Sequence, residues 1–147
     1  MFKQDIEKWL NTNGFKVHVM QDEEYGYNIF QNVIFIGNNS VKNTDNLFKE
    51  FLKRQGCTSV INFNIHTLAF LHELGHYITV PTFQESELTL FATIKEMIAD
   101  LYEDEGAANL KYWAIPDELA ANKWAINFIN DHYDAAKQLD VIMTLAK

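Results

Sequence analysis

His72-Glu73-Leu74-Gly75-His76 sets two imidazoles four residues apart, with a carboxylate directly after the first. On a helix each residue turns the side chain by about 100°, so positions 72 and 76 end roughly 40° apart and one turn above each other. Both rings then reach a single ion, and Zn²⁺ is the ion that this ligand type and spacing suit. Glu73 leaves from the flank of that face, off the ligand positions. A carboxylate there is placed to act as general base in metal-assisted hydrolysis.

The element that must carry this chemistry is legible around it. Ile65, Leu68, Ala69, Leu71, Leu74 and Tyr77 recur at spacings of three and four, which predicts a buried helix from Ile65 to Ile78. Asn62 or Asn64 supplies an N-cap, and Ile78-Thr79-Val80-Pro81 ends the run with a proline that disfavours helix before it. Gly75 costs about 1 kcal/mol relative to alanine in a helix interior, so its presence predicts a close approach to the backbone there, by a strand or a substrate. His66 is expected to lie off the metal face.

A catalytic zinc usually takes three protein ligands and keeps one position open, so a third donor must come from elsewhere. Pro116-Asp117-Glu118-Leu119-Ala120-Ala121-Asn122-Lys123-Trp124-Ala125 opens a second helix, with proline and acids in its first turn. Glu118, Ala121, Asn122 and Ala125 share one stripe, and its small alanines allow tight packing against the motif helix. Glu118 is therefore the first candidate for the third ligand. Asn122, one turn on, is placed to bond a ligand histidine from behind. Asp117, Glu87, Glu96 and His132 are rival ligands, ranked lower because the Glu118 stripe is apolar.

With both segments in view, the chain resembles the ImmA/IrrE family of gluzincin-type metallopeptidases, whose second motif has the form Glu-x-x-Ala-Asn-x-Phe-Ala. The likeness spans roughly residues 15 to 130 and includes Tyr25-Gly26-Tyr27-Asn28-Ile29-Phe30-Gln31-Asn32-Val33-Ile34-Phe35-Ile36-Gly37-Asn38-Asn39, which looks like the hairpin that gives that family an edge strand beside its cleft. The resemblance implies Zn²⁺ held by His72, His76 and Glu118, with Glu73 as base and peptide-bond hydrolysis as the reaction. It also implies a phage or mobile-element setting and a protein substrate, with a helix-turn-helix repressor as a candidate. Two features depart from the pattern. An extra helix-like stretch from Ser86 to Tyr102 lengthens the gap between His76 and Glu118, which bears on substrate preference, and Trp124 stands where phenylalanine is usual.

Composition bounds the remainder. At 147 residues, 48% hydrophobic and 14% aromatic, the chain suits one domain spanning 1–147 with a real core. The fold class read from these elements is α+β, a minimal zincin-like domain with a small antiparallel or mixed sheet packed on the motif helix and further helices. Cys57 stands alone, and no signal-peptide core or membrane-length apolar run is present, so a cytoplasmic location is expected. The net charge of −8 argues against direct nucleic-acid binding and suits a basic protein partner instead.

Along the chain, Met1 to Leu10 reads as an amphipathic helix whose Phe2, Ile6, Trp9 and Leu10 dock on the domain. Phe15 to Val19 alternates as a strand, and Tyr27–Phe30 and Val33–Ile36 read as a hairpin about Gln31-Asn32. Asp45 to Gln55 reads as a helix stopped by Gly56. Ser86 to Glu105 reads as another, with Leu88, Phe91, Ile94, Ile98 and Leu101 inward and Asp100, Glu103, Asp104 and Glu105 forming an acidic end. Pro116 to Lys147 is helical with a break near Asn130 to Asp134.

The expected reaction is endopeptidase hydrolysis, with substrate paired to an edge strand at Val33–Ile36 and with His132 or Tyr133 as candidates for oxyanion support. The alternative is a zinc-fold binding or regulatory module with little turnover. Glu73 separates the two, because a purely structural metal site has no use for an acid beside an open position.

Overall fold

The computed structural model describes residues 2–38, 42–102 and 104–145. Met1, Asn39, Glu103 and Lys147, each part of a predicted element, lie outside the described residues. Seven α-helices and three short strands are present among those described, with 3₁₀ turns at Thr58–Asn62 and Val80–Thr82. The molecule is mostly helical with a small mixed sheet, which agrees with the α+β class.

The motif helix, α3 (Ile65–Thr79), starts where Asn64 accepts a hydrogen bond from the His66 backbone N–H at 2.9 Å. It is the centre of the fold. Phe70, Leu71 and Leu74 are fully enclosed, and Thr67, on another side, donates its hydroxyl to Asp140 at 2.6 Å. Its principal neighbour is α6 (Pro116–Asp131), whose stripe of Glu118, Ala121, Asn122 and Ala125 is buried as the small residues predicted.

Gly75 is the point where the two backbones meet. A Cβ there would collide with the Ala121 carbonyl oxygen and stand 2.9 Å from the Ala121 Cα. The close approach is thus made by a neighbouring helix rather than by a strand or substrate. Gly75→Ala should gain about 1 kcal/mol of helix propensity but force the helices apart, and overpacking against backbone costs about 3 kcal/mol or more. A net loss near 2 kcal/mol in chemical denaturation is expected; an unchanged midpoint would mean that the helices pack elsewhere.

The sheet corrects one expectation. Strand β1 (His18–Gln21) pairs in parallel with β3 (Val33–Ile36), and β2 (Gly26–Asn28) pairs with β3 in antiparallel fashion, giving the order β1-β3-β2. Val33–Ile36 is therefore the central strand, and its backbone faces are engaged on both sides. Its near-continuous apolar run, with Val33, Ile34 and Ile36 all buried, is what a central strand needs. The hairpin exists, with a longer loop than predicted: Asn28 Oδ1 accepts from the N–H groups of Phe30 and Gln31, and Asn32 takes a left-handed conformation at φ 53°. Phe15 leaves the predicted strand to stack against Trp9 and meet Trp124 edge-on, so β1 begins only at His18.

Helix α1 (Phe2–Thr12) docks through Ile6, Trp9 and Leu10, and the Trp9 indole N–H donates to the Ala135 carbonyl at 2.9 Å. Helix α2 (Lys42–Arg54) buries Phe48 and Leu52, close to expectation. The stretch predicted as one helix from Ser86 to Glu105 is instead α4 (Glu85–Leu101) followed by α5 (Glu105–Trp113). Phe91 is buried, Leu88, Ile94 and Ile98 are half-buried, and Leu101 is 70% exposed rather than inward, because the chain turns away at Tyr102. The turn also moves Asp104 from a helix end to a helix start, where its carboxylate accepts from the Gly106 N–H at 3.2 Å and complements the dipole. The expected break in the last helix falls at His132, between α6 and α7 (Tyr133–Leu145). No described helix is long and apolar enough to cross a membrane.

Candidate metal centre

Helix α3 delivers His72, Glu73 and His76 to one side of a cleft of about 720 Å³, and the first turn of α6 delivers Asp117 and Glu118 to the same place. His72 Nε2 lies 2.9 Å from Glu118 Oε1, His76 Nε2 lies 3.0 Å from Glu118 Oε2, and the two Nε2 atoms are 3.1 Å apart. The three residues proposed from sequence as ligands are thus in mutual contact. One Glu73 carboxylate oxygen lies within 4.8 Å of a ring nitrogen of each imidazole.

One hydrogen bond explains why this contact calls for a cation. His72 Nδ1 donates to Asn122 Oδ1 at 2.6 Å, so a neutral His72 presents a bare lone pair at Nε2. That lone pair faces a carboxylate oxygen and a second imidazole nitrogen. Such a cluster is stable only with a positive centre among its donors, a proton or a metal ion. In the metal-free protein the proton serves: burial opposes a charged His72, yet its bond to Glu118, the charges of Glu73 and Glu118 and the Asn122 bond together raise its pKa. Burial also works against the Glu118 carboxylate, but the bonds from His72 and His76 hold it well below the usual carboxylate range. The two shifts describe one ion pair, an imidazolium at His72 and an ionised carboxylate at Glu118.

Charge and donor chemistry fit a divalent ion. Three carboxylates are buried here, Glu73, Asp117 and Glu118, against the one ammonium of Lys95 among the described groups they contact. With His72 protonated one negative charge remains; with His72 neutral and all three carboxylates ionised two remain, which one dication would balance. Two imidazole nitrogens 3.1 Å apart, each about 3 Å from one of the two Glu118 oxygens, are donor types that Zn²⁺ takes.

Glu73 differs from Glu118 in environment. Burial pushes its pKa up, and the Glu118 charge adds to that, while His72, His76 and Lys95 pull the other way. A dication beside it would lower it again. The result is a carboxylate that can take up and release a proton, as a general base must.

Several residues in the cleft were not anticipated. Lys95, on α4, donates from Nζ to Asp117 Oδ2 at 2.7 Å and to Glu118 Oε2 at 2.8 Å. Burial acts against its charge, but Glu118 and Asp117 more than offset this and keep it an ammonium. The signal was present: Leu88, Ala92 and Lys95 share one stripe at spacings of four and three, with a single charge on it. His66, expected off the metal face, lines the cleft and bonds the Tyr25 hydroxyl through Nδ1 at 2.9 Å. It lies seven residues before Glu73, about two turns, and so on the Glu73 side of the helix. Tyr25 and Tyr112 also face the cleft. Burial raises both hydroxyls, Tyr112 to about 12, helped by nearby carboxylate charge, so each remains a protonated donor.

Other candidates fall away. Glu87 caps α4, accepting from the Gln84 N–H at 2.9 Å, and Glu96 is exposed. His132 packs on Phe128 and lines a separate groove with Phe15 and Trp124, while Tyr133 is set edge-on to Phe63, so neither supports chemistry at this centre. Trp124 stacks on Phe128 with centroids 5.2 Å apart, an aromatic-cluster role away from the ligands. Asp117, the remaining rival, is within the cluster and is held by Lys95. Cys57 is buried beside Ser59.

Compared with protein-family models, with curated proteins and with solved structures, the chain finds no match in any of the three.

Proposed function

We propose that this chain is a zinc-dependent endopeptidase with a minimal zincin-like fold, in keeping with the likeness of its two motifs to the ImmA/IrrE metallopeptidases. The observation that carries the reading is the contact of His72, His76 and Glu118, from two helices, around donor atoms that need a cation between them. His72, His76 and Glu118 would hold the ion. Bound there, zinc supplies a Lewis acid that polarises a carbonyl and brings the pKa of water toward about 7.

The chain's own groups do the rest. Glu73 accepts the proton of the attacking water and hands it to the leaving nitrogen, a transfer suited to a carboxylate raised by burial. Tyr112 and Tyr25 line the cleft with protonated hydroxyls, the Tyr25 hydroxyl bonded to His66, and replace His132 and Tyr133 as the candidates for supporting a developing oxyanion. An extended substrate lies along β2, because Gly26–Asn28 has β3 on one side alone among the described strands and Gly26, Tyr27 and Ile29 line the cleft. Main-chain pairing there needs little side-chain sequence. The net charge of −8 favours a basic protein as substrate, and a DNA-binding repressor is of that kind.

Asn122 fixes the His72 tautomer, so Asn122→Ala should weaken zinc binding by roughly 10–100-fold. A competition titration with a zinc-binding dye reads this directly, and equal affinity would mean that the 2.6 Å bond does not orient the ligand. For the activity itself, the zinc-loaded chain is incubated with a library of unstructured peptides, and products are read by mass spectrometry. Cleavage that chelator abolishes supports the proposal. A chain that carries zinc yet cleaves nothing, including a co-encoded repressor, points to the binding module instead.

A further inference from the structure

The acidic cluster contains two overlapping sets of donors. One is His72, Glu73 and His76, the other His76, Asp117 and Glu118, and within each set the donor atoms lie no more than 4.8 Å from one another. A dication entering this cluster could draw on both carboxylates of the α6 first turn, and an oxygen-rich site of that kind favours Mn²⁺ or Mg²⁺ and fills the positions that a catalytic zinc keeps open.

Lys95 stands between those alternatives. Its ammonium bonds Asp117 Oδ2 at 2.7 Å and Glu118 Oε2 at 2.8 Å, with the side chain 21% exposed. The other Asp117 oxygen accepts from the Glu118 N–H at 2.9 Å, so both oxygens of that carboxylate are engaged. Glu118 Oε1, 2.9 Å from His72 Nε2, carries no bond to the lysine, whereas Oε2 is shared between Lys95 and His76 Nε2, 3.0 Å away.

We infer that Lys95 is a positioning residue that decides which oxygens the centre offers: it withholds Asp117 and the second oxygen of Glu118, leaving His72, His76 and a single Glu118 oxygen for the cation. This rests on the metal-centre reading. It gives the helix inserted between the two motifs a function at the metal, because α4 is the element that supplies the lysine. The ammonium acts as a built-in cation that neutralises the surplus carboxylate and keeps the coordination number low. Its charge also opposes hard cations that would otherwise be drawn to paired carboxylates.

The test compares wild type, Lys95→Met, Lys95→Arg and the double variant Lys95→Met with Asp117→Asn, reading Mn²⁺ affinity by calorimetry and the visible spectrum of the Co²⁺-loaded protein. Four-coordinate Co²⁺ absorbs strongly and higher coordination weakly. Lys95→Met is expected to bind Mn²⁺ about tenfold more tightly or better, and to lose most of the Co²⁺ band intensity. Lys95→Arg should match wild type, and the double variant should give back most of the Mn²⁺ gain. Should Lys95→Met fail to fold, Lys95→Gln carries the same comparison. An intense Co²⁺ spectrum and a Mn²⁺ affinity that Lys95→Met shares with wild type would overturn this inference alone. A wild-type chain that takes up neither Zn²⁺ nor Co²⁺ would instead overturn the metal centre.

Discussion

Glu73→Gln is expected to lower kcat/KM for peptide cleavage by roughly 10²–10⁴-fold while zinc content stays at the wild-type level. Glutamine keeps the size of the side chain and removes its ability to accept and pass on a proton. Glu73 is buried, and its carboxylate is already raised by that burial, so exchanging it for a neutral amide relieves a buried charge and should leave the fold at least as stable. The effect belongs in kcat, since the base acts in the transition state and not in substrate binding. A variant that cleaves as fast as its parent would remove Glu73 from the mechanism and leave the zinc ligands untouched.

Glu118→Gln should have the largest effect on the ion itself. An apparent zinc-binding free energy on the order of 10 kcal/mol, spread over three donors, loses several kcal/mol when a carboxylate becomes an amide, which is roughly a thousandfold in Kd. The loss is readable as stability. Zinc at about 1,000 times its Kd adds roughly 4 kcal/mol to unfolding of wild type, and the same concentration should do almost nothing for the variant. Without metal the substitution also removes the partner of His72, His76 and Lys95, so a lower starting stability is expected. The diagnostic quantity is therefore the zinc-induced shift in each protein. Equal shifts in the two would exclude Glu118 as a ligand.

The sequence made these two residues visible because helical periodicity is local. The four-residue spacing of His72 and His76, and the stripe from Glu118 to Ala125, each determine a face, and Gly75 opposite Ala121 shows how closely the two faces had to approach. Caps were legible for the same reason, as at Asn64. What the sequence obscured was long-range. Val33–Ile36 pairs on one side with a strand that comes before the hairpin, so its central place follows from β1 crossing to it, although the buried run on both faces was a hint. Lys95 reaches Glu118 across 23 positions of chain, and the stripe of Leu88, Ala92 and Lys95 marks the lysine's face without telling which carboxylates it meets. His132 failed as a candidate because the α6–α7 break turns it onto Phe128, on the side of the groove formed with Phe15.

The centre also explains why its polar groups can be buried at all. Asp117 has Lys95, His72 has Asn122, and Glu118 has both histidines, so each of these three groups gains a partner on leaving water. The Asn122 Nδ2 atom stands apart as a buried donor with no protein acceptor among the described residues, and its position behind His72 ties that cost to orienting the ring.

X-ray absorption at the zinc edge, taken together with anomalous scattering from a crystal of the zinc-loaded chain, tests the central claim most directly. One ion per chain is expected, bonded at roughly 2.0–2.2 Å to His72 Nε2, His76 Nε2 and a Glu118 oxygen. Zinc bound away from these three atoms, or a folded chain that binds none, would contradict it.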